Sequence, residues 1–182
     1  MSHFDYLRTG MLRNEIDVCV EMWDAKPAEI KQFISEFNEL TQTQQRKGVW
    51  ILYHLSQKNA AEVQRYRDYI FDLVTHSKDS SVRRESFGIL YNLELTEEQD
   101  GRMLERAFCT LSSFDVETAE RLRAIHWVLR AAKSYPELYN EIIAGIELVK
   151  HIGTPAWKRY SSKLILQLEI KKAKAFSSKA KK

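Results

Sequence analysis

Arg46-Lys-Gly-Val-Trp-Ile-Leu-Tyr-His-Leu55 returns further on as Arg84-Glu-Ser-Phe-Gly-Ile-Leu-Tyr-Asn-Leu93. The shared skeleton is an arginine, an Ile-Leu-Tyr triplet five to seven residues later, and a closing leucine. Weaker copies begin at Arg123, with Val128 and Leu129, and at Arg159, with Leu164, Ile165, Leu166 and Leu168. The four starts lie 38, 39 and 36 residues apart. That period is the length of a helix-turn-helix unit with its loops, so the chain reads as an array of helical repeats.

Composition agrees with an all-α chain. Its 182 residues are 44% hydrophobic, enough for a continuous core, and six Gly and three Pro leave long stretches of helix formers. No alternating run bounded by turn signals suggests strands. The expectation is one domain over residues 1–174 with a disordered Lys-rich tail over 175–182. No apolar stretch approaches the roughly 18 residues of a membrane span, and no charged start leads into an apolar run, so a cytoplasmic location is expected. Cys19 and Cys109 lie in different repeats without a Cys-x-x-Cys pair, and both are expected to be small buried apolar groups.

Punctuation falls where paired helices need it. Pro27, Pro136 and Pro155 stand where a first-turn proline is tolerated, with Thr154 placed to cap ahead of Pro155. Thr41 with Gln44, and Thr96 with Gln99, have the spacing of a capping box. Asn59, Asp79 and Asp115 are further cap candidates. These marks predict first helices over 42–58, 79–94, 115–134 and 155–174, and second helices over 27–39, 60–76, 97–112 and 136–151. A helical region over about 3–24 precedes them.

Asp79-Ser-Ser-Val82-Arg83-Arg-Glu-Ser86-Phe-Gly-Ile-Leu90 resembles the first helix of HEAT repeats, in which an Asp caps the helix, Val-Arg follows, a small residue admits a neighbouring helix and a Leu closes the motif. Gly48 and Ser86 hold the small-residue position; Ile125 departs from it, and the repeats at 42 and 155 lack the Asp-x-x-Val-Arg entry. The resemblance implies a HEAT-like right-handed α-α superhelix of about four helix pairs behind an N-terminal helical region. Size and layout are also similar to small bacterial HEAT-like proteins, some of which repair alkylated DNA. Trp127, Trp157, Arg123, Arg130 and Asp115 are the residues that such an activity would draw on.

Searched for chemistry, the chain offers little. None of the five histidines stands in His-Glu-x-x-His or beside a Cys at ligand spacing, and His54 and His126 sit inside apolar runs. There is no Gly-x-Ser-x-Gly and no phosphate-cradling or dinucleotide glycine pattern. A non-catalytic protein is expected, with no catalytic residue, no metal site and no cofactor.

Charge says more. The chain is +3 overall, but Lys171, Lys172, Lys174, Lys179, Lys181 and Lys182 supply six positive charges, leaving residues 1–170 at −3. In the second helices acids outnumber bases about two to one, while the first helices up to residue 170 carry twelve bases against seven acids. Because the second helices of HEAT-like stacks generally line the concave side, an acidic concave face is expected. Such a face attracts a basic or amphipathic protein segment and repels phosphate. The residues placed on it are Glu62, Arg65, Asp68, Asp72, Glu98, Arg102, Glu105 and Glu141. The alternative is nucleic-acid binding through the basic layer and tail, by Arg83, Arg84, Arg121, Arg123, Lys171, Lys172 and Lys174.

Overall fold

Apolar side chains spaced three and four residues apart give each predicted helix one stripe that only a neighbouring helix can cover, and the architecture follows from pairing those stripes. A computed structural model describes residues 3–8 and 13–179. Among the described residues there are ten α-helices and no strand. By its contacts the chain divides into two compact units, 1–95 and 96–182.

The first unit holds α1 (Arg13–Ala25), α2 (Pro27–Glu36) with a 3-10 turn (Phe37–Glu39), α3 (Gln42–Lys58), α4 (Ala60–Gln64), α5 (Arg67–His76) and α6 (Ser80–Tyr91). Its core centres on the quoted decapeptides. Ile51, Leu52 and Leu55 of α3, and Ile89 and Leu90 of α6, are fully buried, whereas Tyr91 of the shared triplet is exposed. Burying each such aliphatic side chain contributes about 1.5–3 kcal/mol. Beyond α3 the core is aromatic: Phe33 stands 5.7 Å from Phe4, 5.2 Å from Trp23 and 5.5 Å from Phe37, ring centre to ring centre. A short N-terminal turn (Asp5–Leu7) carries Phe4 and Leu7 into this cluster, where Gln44 Nε2 donates to the Phe4 carbonyl at 3.0 Å.

In the second unit, α7 (Glu97–Ser112), α8 (Thr118–Ala131), α9 (Leu138–Val149) and α10 (Pro155–Lys179) follow one another. Met103, Leu111, Ile125, Val128, Ile142, Ile146 and Leu168 form its interior. Trp157 is buried against the end of α9, donating its indole N–H to the Val149 carbonyl at 3.1 Å. Gly153 turns the chain between α9 and α10 with φ +97°, a conformation L side chains rarely adopt.

Both capping boxes form: Thr41 with Gln44, and Thr96 with Gln99, exchange side-chain and backbone hydrogen bonds. Pro27 occupies the first turn of α2, and Thr154 Oγ1 accepts from Trp157 N behind Pro155. Other expectations are corrected. Asn59 makes no capping bond and instead donates to Asp24 Oδ1 at 2.7 Å. Asp115 is not a cap. The chain leaves α7 extended at Ser113, Arg121 occupies the Leu111 and Ser113 carbonyls, and α8 starts only at Thr118. The helix expected over 60–76 breaks at Tyr66 (φ −106°, ψ 12°), where neither Gly nor Pro gives a signal. Pro136 forms a turn ahead of α9 rather than its first residue. Cys109 is exposed, unlike the buried Cys19.

The last helix runs through Lys179, past the point where disorder is expected to begin. Ala and Lys are good helix formers, and Ser177 Oγ adds a bond to the Ala173 carbonyl at 2.8 Å. The rest of the expected tail, residues 180–182, lies outside the described residues.

Candidate partner-binding surface

Asp79 fixes the local geometry of the first unit. Its Oδ1 accepts from the Ser81 and Val82 amides at 2.9 and 3.2 Å, capping α6. Its Oδ2 accepts from Gln42 Nε2 at 2.6 Å and Arg46 Nε at 2.8 Å, both on α3. One carboxylate thereby ends one helix and ties down the helix of the preceding repeat. Burial pushes this carboxyl up. The hydrogen bonds from Arg46, the Val82 amide and Gln42, together with the Arg46 charge, outweigh that and hold it below its ordinary value. Further along the same pair, Asn92 Nδ2 donates to Ser56 Oγ at 2.9 Å.

A groove of about 340 Å³ opens along α5. Tyr69, Asp72, Leu73 and His76 line it at the i, i+3, i+4, i+7 spacing of one helix face. Phe37 and Asn38 close its other side, with Gln45 of α3 and Lys78 beyond α5. Phe37 meets Tyr69 edge to face at 6.0 Å, and Gln45 Nε2 holds the Phe37 carbonyl at 2.8 Å. Burial, and then the nearby Asp72, push the Tyr69 phenol up to about 12. It is therefore a protonated hydroxyl at neutral pH, beside an exposed carboxylate. The groove thus combines an aromatic wall with Asp72 and with the His76 and Lys78 side chains.

The other acids expected on this face of the first unit are placed differently. Asp68 is largely exposed and pairs with Arg67 at 3.2 Å. Glu62 pairs with Arg65 at 3.0 Å and is mostly covered, so it offers little negative charge to a partner. In the second unit Glu98, Arg102 and Glu105 are exposed on α7 at a spacing of four and three residues, and Glu141 is exposed on α9. Sequence reasoning singled out Asp72 but missed Phe37, Asn38, Tyr69 and His76. The heptad-like spacing of 69, 72, 73 and 76 was a usable signal. The arrival of Phe37 from another helix was not.

The basic set is divided between the two units, and several of its members are engaged locally. Arg121 is 1% exposed, donating from Nε to the Leu111 carbonyl at 3.2 Å and from Nη2 to the Ser113 carbonyl at 2.5 Å, with its guanidinium 5.3 Å from the Trp157 ring centre. It finishes α7 and is withdrawn from the surface candidates. Arg83 donates to the Ser77 carbonyl at 2.9 Å, and Arg84 pairs with the buried Glu85 at 2.8 Å. Arg123 is half-buried on α8, and Lys171, Lys172 and Lys174 lie along α10, where Lys172 pairs with Glu169 at 3.3 Å. Of the residues a base-repair activity would draw on, Trp127 and Trp157 are buried, and Arg130 lies over the Trp127 ring at 4.0 Å while pairing with Asp100.

Among the described residues no group of three or more His, Cys, Asp or Glu is arranged to hold a metal ion. No described helix is long and apolar enough to cross a membrane.

Helix pairs joined by short turns and repeating about every 38 residues, with Asp79 capping one helix and tying it to the preceding pair, define a helical-repeat protein. The chain matches the HEAT repeat domain family over residues 5–166, and it belongs to that family. No curated protein and no solved structure matches it significantly. HEAT repeats generally mediate protein–protein interaction.

Proposed function

We propose that the chain is a non-catalytic protein-binding module whose second helices bind a basic or amphipathic segment of another protein. The observation that carries this reading is the groove along α5, where an aromatic wall of Phe37 and Tyr69 adjoins the exposed Asp72. An apolar or aromatic side chain of the partner fills the groove, and a neighbouring Lys or Arg meets Asp72 and Asp68. Aromatic anchors in partly desolvated pockets supply most of the affinity in such interfaces, and flanking charges mainly supply rate and selectivity. Within the second unit, Glu98, Glu105 and Glu141 are exposed and carry the same sign of charge.

The test uses a fluorescent synthetic peptide of alternating Lys and Leu with one Trp, titrated with the full chain. Asp68→Lys with Asp72→Lys is expected to weaken binding by about tenfold or more, an effect that shrinks in high salt. Circular dichroism is expected to stay unchanged, because both side chains are exposed. Unaltered affinity in the doubly substituted chain would remove the acidic surface from the account.

A further inference from the structure

The outer side of α10 carries a second apolar seam. Its inner side is the expected one: Trp157, Ser161, Leu164 and Leu168, spaced four, three and four residues apart, are buried in the second unit. On the opposite side Arg159, Lys163, Leu166, Ile170, Ala173 and Ser177 follow the same alternation of four and three, and all are exposed. Leu166 is 67% and Ile170 57% exposed, the apolar centre of a seam with the spacing used when one helix lies along another. Only α9 packs extensively against α10 among the described helices.

Charge selects the occupant. Lys163 and Lys174 flank the apolar centre, Arg159, Lys158 and Lys171 add to them, and Glu169 is the only acid on the helix, already paired with Lys172. We propose that this seam docks an acidic amphipathic helix of a partner protein, whose apolar stripe covers Leu166 and Ile170 and whose flanking carboxylates meet Lys163 and Lys174. A second copy of the same helix would oppose like charges along the whole contact. A bilayer surface would engage only one narrow strip, because the other apolar seam is buried, whereas helices that lie in a membrane present a broad apolar face. Free polyanions such as nucleic acid are attracted by the lysines but make no use of the two exposed aliphatic side chains. This site uses a different helix from the groove along α5 and has the opposite charge preference.

The experiment titrates the full chain into two labelled synthetic helical peptides, one with Leu at heptad a and d and Glu at e and g, the other with Lys in place of each Glu. Saturable binding of the Glu peptide is expected, with Leu166→Ser and Ile170→Ser together weakening it by about tenfold or more. Lys163→Glu with Lys174→Glu is expected to reverse the preference toward the Lys peptide. All four side chains are exposed, and unchanged circular dichroism verifies that the fold survives. The proposal is overturned if the Glu peptide does not bind, or if its binding is indifferent to Leu166→Ser and Ile170→Ser, as plain polyanion attraction would be. It is equally overturned if these two substitutions abolish self-association in sedimentation, or co-sedimentation with phosphatidylserine vesicles, while leaving peptide binding intact.

Discussion

Gly48, Ser86 and Asp79 show how single residues set the distance between helices. A Cβ built on Gly48 lies 2.1 Å from Phe33 Cε2, so that α3 meets the aromatic core of the first unit only because the side chain is missing. Gly48→Ala is expected to cost about 1–3 kcal/mol through overpacking, read from the urea midpoint. Ser86 holds the same place in its repeat but has a different problem: its hydroxyl is fully buried with no hydrogen-bond partner among the described residues. Ser86→Ala removes that desolvated group, and a gain of about 1 kcal/mol is expected in the same measurement. Asp79 links stability to pH. Its folded value lies below its unfolded one, so its stabilisation is fully present above the unfolded value of about 4 and is lost as pH falls through the folded value. The stability gap between the natural chain and Asp79→Asn is therefore expected to be widest near pH 7 and to close at strongly acidic pH. A gap independent of pH would contradict the charge-linked role. The sequence marks Asp79 through Asp-x-x-Val and Gly48 through its small size, but the reason for Gly48, the Phe33 ring, comes from another helix.

At the scale of elements, features whose partners share one short segment were legible and those completed from elsewhere were not. Both capping boxes were readable because hydroxyl and amide stand three residues apart. Thr96→Ala is expected to cost about 1 kcal/mol in urea unfolding. Asp115→Ala is expected to leave stability unchanged, since the helix it was read to cap begins beyond it. The misplacement has a physical source. Arg121 reads as a surface cation in a helix that ought to be amphipathic, yet it is buried against the end of α7, and its bonds to the Leu111 and Ser113 carbonyls hold the connecting segment extended. The break between α4 and α5 is also tertiary in character. Gln64, the last residue of α4, accepts from the Glu94 amide at 3.0 Å and donates to the Glu94 carbonyl at 2.8 Å, tying that helix end to the segment after α6.

For the molecule as a whole, the period of the decapeptide was enough to read the class of fold, because every repeat must bury the same stripe against its neighbour. Ile51, Ile89, Val128 and Leu164 occupy corresponding places in the four copies, and all are buried. The candidate surface was legible only as a sign of charge. Exposed Asp68 and Asp72 could be read from the sequence, whereas the groove beside them depends on Phe37 and Tyr69 meeting across helices that lie 32 residues apart in the chain. The most direct measurement of the central claim is a ¹H–¹⁵N correlation spectrum of the full chain titrated with the Lys-Leu peptide bearing one Trp. The account predicts shifts concentrated at residues 37, 38, 69, 72, 73, 76 and 78, which border the groove along α5. Shifts that spare this groove while the peptide binds elsewhere would contradict it.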